Sequence, residues 1–142
     1  MMRLVMLSLL LSLALPAFAF AQDKDKDKAP SASPPTRVFE LRTYYTHEGR
    51  LDALNKRFRD HTCRLFQKHG IELIGFWTPQ EEKDKLVYLI AFPSREAAKA
   101  SWEAFRNDPE WQKAAKESEQ DGKIVKKVES VYLDPTDYSA IK

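Results

Sequence analysis

The sequence predicts one α+β domain with the element order strand, helix, strand, strand, helix, strand, and three observations predict it. Strand-like segments stand at both ends of the domain, an alternating, aromatic-rich one over 37–45 and a valine-containing one over 124–133. Apolar spacing switches to threes and fours twice, once after Gly49 and once after Ser94. Between those helical stretches lie two consecutive apolar runs, 71–78 and 85–92, each of strand length. That order is the split βαβ, or ferredoxin-like, pattern.

The chain has 142 residues, and its first part reads as something other than fold. Arg3 precedes an apolar run over 4–15, Pro16 breaks the run, and Ala17-Phe18-Ala19-Phe20-Ala21 follows. Small residues at 19 and 21 suit cleavage before Gln22, so 1–21 is expected to be a secretory signal peptide and the protein to be exported, periplasmic or extracellular. The run is shorter than the roughly 20 residues a spanning helix needs, so no membrane attachment is expected after the cut. Over 22–36, alternating Asp and Lys give way to Pro, Ser and Ala, a composition that buries too little to offset ordering entropy and reads as a disordered linker. The domain is then 37–142, enough for one core.

Each element has a local signature. In the first strand Phe39, Leu41, Thr43 and Tyr45 face one way, and Val38, Glu40, Arg42 and Tyr44 the other. A helix over 48–68 follows, with Leu51, Leu54, Phe58, His61 and Leu65 as its apolar stripe, Thr62 and Phe66 flanking it, and Gly70 as a left-handed cap. In the second strand Leu73 and Trp77 point one way, Ile74 and Phe76 the other; the third, 85–92, is apolar on both faces. Ser94 caps a helix striped by Ala98, Trp102 and Phe105. Asp108-Pro109 opens a short further helix with Trp111, Ala114 and Ala115 inward. The last strand has Val131 and Leu133 on one face, and an irregular tail begins at Asp134. Helices cover one face of such a sheet; the apolar content of the other predicts a second copy packed against it, a homodimer.

Several of these segments together resemble the NIPSNAP domain family. Phe39-Glu40-Leu41-Arg42-Thr43-Tyr44 is similar to its opening strand, and Gly49-Arg50-Leu51-Asp52-Ala53-Leu54 to the start of its first helix. His69-Gly70 followed by Gly75-Phe76-Trp77, then Phe92-Pro93-Ser94-Arg95-Glu96-Ala97 and Asp108-Pro109-Glu110-Trp111, continue the likeness in order. The resemblance implies a dimeric α+β barrel. It carries no common reaction to transfer, since the wider superfamily holds cofactor-free oxygenases, isomerases, haem-handling proteins and ligand binders.

For chemistry, His61 stands where a helix stripe would take Leu or Phe, and a buried imidazole needs a partner. If the Glu40 face of the first strand meets that helix, His61, Arg42 and Tyr44 line one cavity, with Arg42 as an anion clamp and His61 moving a proton. Trp77, with Trp102 and Trp111, supplies apolar volume for the core or a pocket wall. The bland alternative is a satisfied core histidine and an Arg–Glu pair at a dimer interface. Net charge of +2 without a basic stripe argues against nucleic acid. His47, His61 and His69 lack metal-site spacing, Cys63 stands alone, and no phosphate loop, dinucleotide fingerprint or nucleophile elbow occurs, so neither metal nor cofactor is expected. Three functions remain: a dimer binding a small organic ligand beside His61, a cofactor-independent enzyme using His61, and an interaction domain without ligand.

Overall fold

The computed structural model describes residues 37–142. The expected signal peptide and linker lie outside the described residues. Strand β1 (Val38–Thr46) leads into α1 (Leu51–Arg57), a π-helical turn (Phe58–Thr62) and α2 (Cys63–Lys68), which together form one helical rod. Strands β2 (Glu72–Trp77) and β3 (Lys85–Phe92) follow, then α3 (Arg95–Asn107), α4 (Pro109–Ser118) and β4 (Val125–Leu133). The sheet is antiparallel in the order β2-β3-β1-β4, the ferredoxin-like topology that the element order predicts.

Local chemistry sets the helix ends. Gly70 takes φ +75°, and the Ile71 amide donates back to the Phe66 carbonyl, closing the rod as a glycine-capped end. The Ser94 hydroxyl accepts the Ala97 amide at 3.0 Å, and Asp108 accepts that of Glu110 at 2.8 Å, with Pro109 in the first helical position.

The helices pack on the face that carries Leu86, Tyr88, Ile90 and Phe92 of β3. Cross-strand register puts Glu40, Arg42 and Tyr44 of β1 on the same face, opposite Ile90, Tyr88 and Leu86. Aromatic rings fill the core edge to face, with Phe66 5.3 Å from Trp102 and 4.8 Å from Phe105. Strand β2 departs from simple alternation. Its register slips between Leu73 and Gly75, so Leu73 lies opposite Ile90 and Phe76 opposite Tyr88, both toward the helices. Trp77 is left opposite Val87 on the other face and folds back over Gly75, where a Cβ would fall 2.5 Å from its ring.

The other face is open. Trp77 is 55% exposed, Val131 54% and Leu133 40%. The segment after β4 curls over one end of this face and, with Phe39, Leu89 and Leu133, encloses a hollow of about 310 Å³. Arg37 Nε donates to the Lys142 carbonyl at 2.7 Å, and its Nη1 pairs with Glu72 at 2.5 Å.

Candidate functional site

On the helix side of β1 a carboxylate is buried in the core. Glu40 is 1% exposed. A charge at that depth persists only when paired and hydrogen-bonded. Its Oε1 accepts from Arg42 Nη1 at 2.6 Å and from Ser130 Oγ at 2.5 Å, and its Oε2 accepts from Trp102 Nε1 at 2.7 Å. Alternation on β1 brings Glu40 and Arg42 to one face, β4 register sets Ser130 beside Arg42, and α3 lowers Trp102 onto the group. Arg42 lies over the Trp102 ring at 4.5 Å and over Tyr44 at 5.6 Å. Burial works against the Arg42 charge, but its surroundings, the bond to the Glu40 carboxylate among them, outweigh that, and the guanidinium holds its proton more tightly than usual. Burial, helped by Tyr44, pushes the Tyr88 hydroxyl well above its ordinary range, so it stays neutral. The Tyr88 hydroxyl and Arg42 Nε are buried without hydrogen-bond partners.

This network floors a cleft of about 470 Å³, walled by Tyr44, Trp102, Phe105, Trp111 and Tyr132. A second hollow of about 540 Å³ shares Trp102, Arg106 and Tyr132 with it and runs along α3 to Lys99 and Arg95. The Arg95 guanidinium sits 3.2 Å from the Tyr132 ring centre. Together the two make a groove between β4 and the α3–α4 pair. Its volume and aromatic lining suit a small molecule.

Of the residues the sequence singled out, Arg42 and Tyr44 come together here. His61 and Trp77 do not. His61 is half-exposed in a separate groove of about 240 Å³, with Lys56, Asp60, Ala114 and Glu117. Of the expected stripe, Leu54, Phe58 and Leu65 are buried, while the inward position near His61 is taken by Thr62, so that Leu54, Phe58, Thr62 and Phe66 run every fourth residue beside Leu65. Spacing of four overshoots an α-helical turn by about 40° each time, and the wide π turn absorbs that drift. It places Thr62 inward, 1% exposed, with Oγ1 donating to the Arg57 carbonyl at 3.2 Å, and turns His61 outward. Trp77 belongs to the open face. The Arg–Glu pair lies beneath the helices, away from that face. Trp102 and Trp111, read from the sequence as core or pocket-wall volume, stand in the cleft wall; Ser130 and Tyr132 were not singled out, and only their register opposite Arg42 and Glu40 on β4 brings them there. Cys63 is half-buried, and burial pushes its thiol up, away from reactivity.

The NIPSNAP family model matches residues 39–140, nearly the whole described domain. The chain belongs to the NIPSNAP family. Among curated proteins none matches it. A NIPSNAP family protein of unknown function from Agrobacterium tumefaciens is similar in structure, with a TM-score of 0.68 and 21% identity over 78% of this chain and 97% of that one. A NIPSNAP-like domain protein from Burkholderia xenovorans gives 0.66 and 18% over 74% and 90%. A protein provisionally described as an antibiotic biosynthesis monooxygenase, from Caulobacter crescentus, gives 0.54 and 13% over 73% and 93%. At these identities the likeness speaks to the fold of the NIPSNAP domain and not to its chemistry.

Proposed function

We propose that this NIPSNAP domain is an exported homodimer that binds a small, partly aromatic organic molecule in the groove between β4 and the α3–α4 pair. The observation that carries the reading is the buried Glu40–Arg42–Trp102–Ser130 network at the floor of an aromatic-walled cleft. Burying two charges costs several kcal/mol, and a core serving stability alone is better filled with apolar side chains. A pre-set polar floor under aromatic walls is the arrangement that orients a ligand. The open apolar face supports the dimer, and the apolar run with its Ala-Phe-Ala ending supports export. A proton-transfer enzyme built on His61 gains no support, because His61 faces a different groove.

Titration with a panel of small aromatic acids and phenols, followed through indole fluorescence, tests the reading. The expected result is saturable quenching with a raised melting temperature; ligand at a hundredfold excess over Kd stabilises by about 2.7 kcal/mol. Trp111→Ala should weaken binding roughly tenfold or more while the protein stays folded, since one wall of the cleft is lost. No saturable response from any compound would leave the interaction domain as the better reading.

A further inference from the structure

The charges along the groove are unevenly settled. At the floor, Arg42 is answered by Glu40, so the pair presents no net charge to a ligand. Along the rim the opposite holds. Arg95, Lys99, Trp102 and Arg106 fall at intervals of four, three and four on α3 and so share one side of the helix. All four line the outer hollow. Among the described residues, none of the three cations makes a salt bridge. The nearest acid on that hollow, Glu96, is engaged at the start of α3, where its own backbone amide and Ser94 hold its carboxyl below the usual range. Three positive charges against the one carboxylate of Glu96 therefore lie over about 16 Å of helix, a net positive rim, beside a neutral, aromatic interior.

We infer that the ligand of this groove is an organic anion whose acidic group is held at the rim by Arg95, Lys99 and Arg106, with its aromatic body lying inward between Trp102 and Tyr132. The inference rests on the groove being the binding site. It reverses the orientation in which Arg42 is the anion clamp. An anion driven to the floor would share a low-dielectric space with the Glu40 carboxylate, whose one countercharge is already spent, and like charges at short range are costly there. At the rim the anion keeps partial hydration and gains up to three charge-assisted contacts.

The test compares 2-naphthoic acid with 2-naphthamide, which share a ring system and differ in charge. Both are titrated at pH 7 against the protein, with quenching of indole fluorescence as the readout. The acid should bind about tenfold more tightly than the amide, and this preference should fall as salt is raised from 50 mM to 500 mM. The triple variant Arg95→Gln, Lys99→Gln, Arg106→Gln should lose the preference while still binding the amide. The paired variant Glu40→Gln, Arg42→Gln removes both floor charges without leaving either unpaired, and should keep the preference. Equal binding of acid and amide by the wild type would overturn the anion assignment and leave the groove as a site for neutral ligands. Loss of the preference in the floor variant and its retention in the rim variant would overturn the orientation. No binding of either compound would remove both the groove reading and this inference.

Discussion

Asp108 does two jobs with one carboxylate. It caps α4 through the Glu110 amide and ties the end of α2 to that cap, accepting Lys68 Nζ and His69 Nε2 at 2.7 Å each. The Lys68 and His69 bonds hold its carboxyl well below the usual range, against a smaller opposing effect of desolvation. A carboxyl whose folded value is depressed binds its proton more readily in the unfolded chain. Its contribution is therefore complete above the unfolded value, near pH 4, and is lost as pH falls through the folded value. Asp108→Asn keeps a competent cap and removes the charge. Urea melts at pH 7 and pH 3 should show the variant less stable than wild type at pH 7, with the gap narrowing at pH 3. An unchanged gap would mean that the tie to Lys68 and His69 contributes nothing electrostatic. Ser94 and Asp108 were legible in the sequence because a cap is a contract among neighbours in the chain. The partners of Glu40 were not, since Trp102 and Ser130 are far away in sequence and only the fold brings them to one carboxylate.

At the scale of elements, the π turn and the slip in β2 mark the limits of periodicity. Ideal α spacing reads 54, 58, 61 and 65 as the stripe of the rod, and strict alternation pairs Leu73 with Trp77. In the rod one wide turn shifts the inward position from His61 to Thr62; in β2 one irregular step turns Leu73 to the helix side. Each is a local offset of one residue, invisible to a regular period and decisive for which side chain reaches the core. A wide turn that absorbs the drift of every-fourth spacing should become unnecessary if the spacing is corrected. Deleting the exposed Asp60 restores spacings of four, three and four among Leu54, Phe58, Thr62 and Phe66, and the variant should fold as a continuous α-helix with a cooperative melt. Deleting Ala104 from α3, where spacing is already regular, should turn Phe105 away from the core and abolish cooperative melting, because losing a buried Phe alone costs about 3–5 kcal/mol. Similar behaviour of the two deletions would contradict this account of the turn.

For the whole molecule, the helix-covered face is complete and the open face is not. Val131 stands on β4 opposite Leu41, more than half exposed, with Trp77 and Leu133 bare on the same face. The far end of the face is polar, with Tyr45 donating to Glu129 and Lys127 paired to it. A second copy seated on the apolar part is the economical cover. Val131→Glu places a charge in that patch without touching the helix-side core. Light scattering should find the wild type as a dimer and the variant as a monomer at micromolar concentration, with the fold retained by circular dichroism. A monomeric wild type would remove the dimer from the proposal. The two-faced apolar content of β3 carried this expectation from the sequence, since each face of a strand is read directly from every second residue.

Arg37, just before β1, grips the carbonyl of Lys142, beyond β4. The path from first strand to last therefore returns to its own beginning, and the domain is nearly a ring with one short gap. A peptide of a few residues could close that gap, and new ends could be opened in the polar 78–84 stretch between β2 and β3. In such a permuted chain β3 would come first and β2 last, yet every strand would keep its neighbours. The order of elements along the chain would then prove separable from the architecture that they build.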